Sequence, residues 1–235
     1  NICRHAQVMV NAARSAHDLV DHLSEEPRGV IKVSIPVSIA QNEMSKLLPD
    51  FMKMYPEIKI QFLVSNRRVE VINEGFDVAL RVRANLDDDP NLVIRKFENI
   101  EQHLFASQAY LNEYGMLKQP EELAEHRILS MVEEHLDQQL SLHDKDNQQK
   151  KVKINPIVMG SDLIMIAKLA SQNCGIALLP DTVAEDFIRT GKLVRVLPEW
   201  KASHGILHAV YPSRRGQLPA VRVFIDYLVE HLTKR

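Results

Sequence analysis

The stretch GVIKVSIPVS (residues 29–38) decides the fold, because a short apolar strand runs through it directly into an amphipathic helix. The stretch INPIVMGSD (residues 154–162) repeats this plan, with a strand over 154–159 and a helix over 163–173. A helix begins with backbone N–H groups that lack intrahelical partners and with a partial positive charge, so each junction offers a seat for a small ligand. Two such units predict two lobes that face one cleft.

The composition is that of a folded protein rather than a disordered or membrane-spanning one. The chain has 235 residues, of which 45% are hydrophobic and 26% are charged. Its formal net charge of -2 provides no overall attraction to DNA or to an anionic membrane. No signal peptide is recognised, and no apolar run approaches the roughly 18 residues of a membrane helix. Cys3 and Cys174 are too few for a disulfide framework, which favours a reducing compartment and predicts a cytoplasmic protein.

Hydrophobic periodicity predicts alternating strands and helices, and hence a mainly parallel sheet. The predicted strands cover residues 30–37, 58–64, 76–82, 92–97, 102–106, 128–132, 154–159, 175–179, 193–197 and 205–211. The predicted helices cover residues 39–55, 67–74, 107–114, 120–126 and 163–173, the segment between Asp181 and Gly191, and 218–232. The polar stretch 133–151 is predicted to be a long hairpin or an exposed loop.

Three helix starts carry cap signals. Ser38 and Gln41 fit a capping box, S-x-x-Q, in which the serine side chain accepts a backbone N–H. Asn66 is expected to cap the helix over 67–74, and Asp181 the helix that follows it.

The first segment is predicted to be a helix that ends near Ser24, ahead of Pro27 and Gly29. Its apolar or small residues alternate at spacings of four and three, as in a coiled-coil seam: His5, Met9, Ala12, Ala16, Leu19 and Leu23. Either the segment packs on its own domain or it pairs two subunits. The polar opposite face favours a dimerisation helix over 1–26.

Seven stretches, taken in their order and spacing, resemble the regulatory part of LysR-type transcriptional regulators. They are PRGVIKVSIPVS (27–38), LLPDFMKMYPEIKI (47–60), EGFDVALRV (74–82), LFASQAYL (104–111), GIALLPD (175–181), AVYPSRR (209–215) and VRVFIDYL (221–228). The resemblance covers nearly the whole chain.

The resemblance implies an α/β fold of two Rossmann-like lobes joined by two crossover strands, as in type II periplasmic binding proteins. Lobe I would hold residues 29–104 and 208–235, and lobe II would hold 105–207. The winged helix-turn-helix that reads promoter DNA in the family would precede Asn1, and this sequence does not contain it. We therefore expect DNA binding only through that missing part, assembly as a homodimer or homotetramer through the linker helix, and no membrane partner.

The resemblance also implies a small-molecule effector in the cleft, held by loops at the carboxyl ends of strands. The effector contacts would be Pro36, Val37, Ser38, Ile39, Arg81, Val82, Phe105, Gly160 and Ser161.

Each of the main site candidates also has a purely structural interpretation. Ser38 is expected to cap its helix whether or not it touches a ligand. Either Ser161 or Asp162 must cap the second helix, and the residues do not choose between them. Arg81 would clamp a carboxylate bidentately, or else be a solvated arginine or one paired with the acidic run 87–89.

Phe105 would stack on an aromatic effector, or else belong to the core. Cys174 would be a thiol sensor or, as is commoner, a small buried residue. The helix N-termini and Arg81 favour an anionic effector, whereas the acidic residues 87–89, 133 and 134 and Phe105 favour a cationic or aromatic one. The effector class therefore stays open.

The motifs of catalysis and of metal or cofactor binding are not found. The ten histidines form no H-E-x-x-H motif, and there is no C-x-x-C, nucleophile elbow, Walker A loop or G-x-G-x-x-G. We therefore expect no metal, no cofactor and no enzymatic activity. A transporter solute-binding protein with the same two-lobe plan is the alternative, and an enzyme on this scaffold is a third hypothesis.

Overall fold

The computed structural model describes residues 27–86, 89–131, 139–213, 215 and 218–233. The predicted dimerisation helix over 1–26 lies outside these residues. Eleven strands are described, β1 to β11: Gly29–Ile35, Ile58–Val64, Val78–Arg83, Leu92–Ala106, Ile128–Met131, Gln139–His143, Gln149–Lys153, Pro156–Gly160, Ile176–Pro180, Val194–Val196 and Lys201–Pro212. Helix α1 is one continuous helix made of Val37–Ile39, Ala40–Met44 and Ser45–Met54. The helices α2 to α5 are Gln108–Tyr114, Leu163–Ser171, Asp181–Arg189 and Pro219–Leu232.

These elements form two compact units. Unit 1 comprises the described residues of Asn1–Glu98 and Ile206–Arg235, and unit 2 comprises those of Asn99–Gly205. Two strands, β4 and β11, each contribute residues to both units. The predicted α/β class with two crossover strands is confirmed. None of the helices in the described part of the chain is long and apolar enough to cross a membrane.

The sheet of unit 1 is organised around β1. This strand lies parallel to β2 on one side and to β3 on the other, and β11 pairs with β3 in the antiparallel sense. Ile31, Val33 and Ile35 have no exposed surface, because helices and loops cover the sheet face that these alternate residues share. The rings of Phe51 in α1 and Phe224 in α5 meet edge-on at 5.4 Å.

The sheet of unit 2 has the order β8–β5–β9–β4, and β5 is parallel to both of its neighbours. Successive residues of β4 belong to opposite cores: Leu104 packs with Tyr110 and Ile128, and Phe105 with Leu129 and Ile166. All of these side chains are buried. A sheet covered on both faces is what a parallel arrangement requires.

The sequence prediction was wrong for the segment 67–74 of unit 1. Residues 67–74 form no helix but an extended segment followed by a turn over 71–75, closed by the Phe76 N–H donating to the Val71 carbonyl at 3.0 Å. The Arg67 guanidinium forms two hydrogen bonds to the Glu74 carboxylate, at 2.9 and 2.6 Å, and Val69 is buried. These tertiary contacts outweigh the weak local helix preference.

The strands predicted over 92–97 and 102–106 are one strand of 15 residues, β4. Phe97 and Ile100 are both buried although they are three residues apart, so the buried side of the strand changes between them. This change falls where the strand passes from unit 1 to unit 2. It interrupts the alternation of buried and exposed residues, so the sequence pattern predicted two strands instead of one. Of the two alternatives for the polar stretch, the hairpin is found, as β6 and β7.

Gly175, at the start of β9, has no room for a side chain. A Cβ at this position would lie 2.5 Å from the carbonyl oxygen of Arg127, which also accepts the N–H of Ile176 at 2.8 Å. The close approach is backbone against backbone, so no side chain can move aside to relieve it.

We therefore expect Gly175→Ala to lower the free energy of unfolding by about 1–3 kcal/mol, because the β5–β9 pairing must shift to admit the methyl group. Urea unfolding followed by circular dichroism measures this. The control is Gln172→Ala at an exposed position three residues earlier, for which we expect a change within about 0.5 kcal/mol. Equal midpoints for the two variants would contradict the steric argument.

Candidate functional site at the carboxyl edges of the two sheets

The carboxyl ends of the parallel strands bring the predicted residues of unit 1 to one edge of its sheet. Ser34 of β1 lies opposite Ala79 of β3, so Arg81 is level with Pro36, directly beyond the end of β1. The Ser65 N–H, just after β2, donates to the Ile35 carbonyl at 2.9 Å. The loop after β1 and Arg81 therefore share an edge, as ligand sites of open α/β sheets do.

The predicted capping box at Ser38 is wrong. Helix α1 begins two residues earlier, because Pro36 has the extended backbone conformation of a cap residue (φ -61°, ψ 148°). Pro36 has no side-chain acceptor, and the Val37 N–H instead donates to the Asn66 side-chain oxygen at 3.0 Å. Ser38 is thus the second residue of the helix, half-buried, and its carbonyl accepts a hydrogen bond from Asn42 at 2.9 Å.

Asn66 is a residue whose role the sequence pattern missed. It was predicted to cap a helix in its own segment, and it caps α1 from a distance of 29 residues along the chain. No local pattern reports such a contact, since it depends on β1 and β2 ending side by side.

A π-helical turn follows the predicted contact residues. It covers Ala40–Met44, and the Ser45 N–H donates to the carbonyl of Ala40, five residues back. π-turns are rare and occur frequently at functional sites. The helix continues beyond this turn as Ser45–Met54, in which Phe51 is buried.

Arg81 is a buried residue of β3, with 7% of its surface exposed. Its Nη2 donates to the Val69 carbonyl at 2.8 Å. Its partner across the antiparallel pairing of β3 with β11 is His208, which has no exposed surface. A solvated arginine, one of the two alternatives from the sequence, is therefore not found. Val82, the next residue, is half-buried opposite Leu207.

A cavity of about 140 Å³ opens beside Arg81 within unit 1. It is lined by Arg68, Glu70, Val71, Ile72, Asn73, Arg81, Asp89 and Leu92. Only Arg81 was among the predicted site residues. The others were missed because most come from the segment 68–73, which was predicted to be a regular helix and forms the irregular turn instead.

Unit 2 presents the second junction at the carboxyl end of β8. Gly160 lies opposite Met131 of β5, and Ser161 follows it at an exposed position. Asp162 is the helix cap: its Oδ1 accepts the N–H of Ile164 at 2.9 Å and that of Met165 at 3.3 Å. The choice that the sequence left open is thus decided for Asp162, so its charge is directed at the helix N-terminus.

Phe105 has no exposed surface and belongs to the core of unit 2. Of the two roles that the sequence left open, a core residue or a stacking surface for an effector, the structure shows the core residue. The guanidinium of Arg195 lies 5.6 Å from the centre of its ring. Cys174 is half-buried, with its thiol 3.7 Å from the Gln172 carbonyl oxygen.

The predicted cap at Asp181 is also wrong. Pro180 is the cap residue of α4, and Asp181 is its first helical residue. Its Oδ1 accepts a hydrogen bond from Arg195 Nη2 at 2.6 Å and contacts Nδ1 of the buried His103 at 3.0 Å. The carboxylate therefore joins α4, β10 and β4 rather than capping its own helix.

A second ion pair lies in the same unit. Lys201 of β11 donates to Glu101 of β4 at 2.5 Å, and this hydrogen bond holds the pKa of the Glu101 carboxyl below its usual value. The sequence did not single out these residues, because β4 and β11 are 100 positions apart at this contact.

The two units and the strands that connect them form an α/β fold like that of the regulatory domain of CrgA, a LysR-type transcriptional regulator from Neisseria meningitidis. That domain is 29% identical with a TM-score of 0.75 and covers 88% of this chain and 100% of its own. Residues 24–233 match the family described as the LysR substrate binding domain, and the chain belongs to this family.

The similar proteins are transcriptional regulators rather than enzymes. An HTH-type transcriptional regulator of Xanthomonas campestris pv. campestris is 29% identical over 231 residues, which are 97% of this chain and 67% of that protein. The HTH-type transcriptional regulator CrgA of Neisseria meningitidis is 30% identical over 231 residues, 97% of this chain and 76% of that protein. The solved structure of CrgA has a TM-score of 0.78 at 28% identity and covers 98% of this chain and 78% of its own.

We expect Asp162→Ala to lower the free energy of unfolding by about 0.5–2 kcal/mol, because two backbone N–H groups of α3 lose their acceptor. Asp162→Asn keeps an acceptor oxygen and is the matched control, so its loss should be much smaller. Urea midpoints of the two variants measure the difference. An alanine variant as stable as the asparagine variant would remove the cap assignment.

Proposed function

We propose that this chain is the effector-sensing and oligomerising part of a cytoplasmic LysR-type transcriptional regulator. A small molecule binds at the carboxyl edges of the strands, at Pro36–Ile39, Arg81 and Val82 in unit 1 and at Gly160 and Ser161 in unit 2. The observation that carries this proposal is the register of β1 and β3, which sets Arg81 level with the loop after β1. Phe105 is not included, because it is enclosed in the core.

The chemistry of this edge suits a ligand with an acidic group. The Arg81 guanidinium is held in position by the Val69 carbonyl, and a guanidinium presents two parallel N–H donors to a carboxylate. The first turn of α1 adds backbone N–H groups and the positive end of the helix dipole. Of the first-turn N–H groups, that of Val37 is already bonded to Asn66.

The output of binding is a change in the spacing of paired DNA-binding heads. A ligand shifts such an equilibrium only if it binds one arrangement more tightly than the other, and coupling of this kind typically amounts to about 1–3 kcal/mol. The membership of the LysR family supports this output, since the similar proteins are DNA-binding regulators.

The ligand is sought with a thermal-shift screen of carboxylic acids, aromatic compounds and cationic amphiphiles against the 235-residue chain. A ligand present at 100 times its dissociation constant adds about 2.7 kcal/mol to stability. For an acidic ligand found in this way, we expect Arg81→Ala to weaken binding at least about tenfold, as the loss of a charge-assisted hydrogen bond predicts.

Ser38→Phe should weaken binding as strongly, because the larger side chain crowds the first turn of α1. Arg83→Ala is the matched control, since Arg83 is an exposed arginine two residues along the same strand. Titration calorimetry reads out all three variants. Unchanged affinity in both site variants, with each variant folded by circular dichroism, would show that the site is elsewhere.

We also propose that the chain assembles as a homodimer or homotetramer, through the predicted helix over 1–26. Multi-angle light scattering at micromolar concentration should give at least twice the 26.9 kDa mass of one chain. A chain that starts at residue 27 is the control and should have a lower association constant. A stable monomer for the full chain would contradict the oligomerisation.

A further inference from the structure

The cavity beside Arg81 carries charges of both signs on its wall. Arg68 and Arg81 contribute cations, whereas Glu70 and Asp89 contribute carboxylates. The other lining residues are the amide of Asn73 and the aliphatic side chains of Val71, Ile72 and Leu92. A binding site for a simple anion would not need the two carboxylates, and a site for a simple cation would not need the two arginines.

The cationic side of the cavity is preorganised. Arg81 is 7% exposed, and its position is set by the strand pairing of β3 with β11 and by the hydrogen bond to the Val69 carbonyl. A guanidinium held in this way loses little conformational freedom when it binds a carboxylate.

The segment that carries Glu70 is also held in place. The Glu74 carboxylate accepts the backbone N–H of Glu70 at 2.8 Å and both hydrogen bonds from Arg67. The hydrogen bonds from Arg67 hold the pKa of the Glu74 carboxyl below its usual value, so this brace persists at neutral pH. Val71, which lies between Glu70 and Glu74 in the chain, is 2% exposed and anchors this part of the cavity wall in the core of unit 1.

The size of the cavity restricts the ligand. One water needs about 10–15 Å³ of such space, and the cavity provides about 140 Å³. It therefore admits a small organic molecule of a few heavy atoms beside the aliphatic wall.

We propose that this cavity binds a small zwitterion of the α-amino acid type, with its carboxylate at Arg81 and Arg68 and its ammonium group at Glu70 and Asp89. The assignment rests on the proposed function, because Arg81 binds the ligand in both. It also reconciles the two signs of charge that the sequence shows near this site. A zwitterion binds Arg81 and Asp89 at once.

The test is titration calorimetry of the full chain with L-alanine and L-serine as zwitterions, acetate and propionate as carboxylates without the ammonium group, and ethylammonium as the cation alone. We expect an amino acid to bind at least tenfold more tightly than acetate or ethylammonium. The double variant Glu70→Gln/Asp89→Asn should lose at least tenfold in amino-acid affinity, whereas its acetate affinity should be equal or higher because two negative charges are removed from the cavity wall. These side chains are exposed, so the variant should fold normally.

Asp146→Asn, an exposed acid in the β6–β7 turn of unit 2, is the matched control and should bind as the parent chain does. Equal binding of acetate and amino acids, or a double variant that binds amino acids as the parent does, would overturn the zwitterion assignment. So would amino acids that do not bind at concentrations on the order of 1 mM. In each of these cases the proposed function survives if the broader screen finds an Arg81-dependent ligand, and it fails with the assignment if that screen finds none.

Discussion

The parallel pairing of β1 with both β2 and β3 is the constraint on which the candidate site of unit 1 depends. Parallel strands end at the same edge of a sheet, so three segments far apart in the chain are brought together beyond Ile35, Val64 and Arg83. The burial of Ile31, Val33 and Ile35 fixes the register, because a slip of one residue would turn these side chains to the opposite face. Arg81 and the Pro36 loop are level only in this register.

Polar groups are then placed by partners from other elements. Asn66 caps α1 from the end of β2, the Val69 carbonyl positions Arg81, and Asp181 joins Arg195 and His103 instead of capping its own helix. In each case the backbone or side chain has a local alternative that the sequence pattern favours. The tertiary partner prevails because a buried or half-buried polar group without a partner costs more than a local cap contributes.

The fold was largely predictable, and the candidate site was predictable only in part. Apolar patterning located β2 at its observed bounds and most other strands within a residue or two, since the strands pack apolar side chains on the cores. The segment 67–74 was wrong, because the Arg67–Glu74 hydrogen bonds and the buried Val69 determine its shape. The loop at Pro36 and the position of Gly160 were recognised from their motifs, whereas the cavity residues from 68 to 73 were not.

The sequence by itself determined the family, the alternation of strands and helices and the two junctions at which a strand runs into a helix. Local preferences and periodic apolar residues encode these features within a window of a few positions. Only the tertiary structure decided that Asp162 rather than Ser161 caps α3, that Ser38 is not a cap, and that Arg81 is buried at a cavity with charges of both signs. The physical reason is that these outcomes depend on which strand ends are adjacent, and adjacency is a property of the assembled sheet.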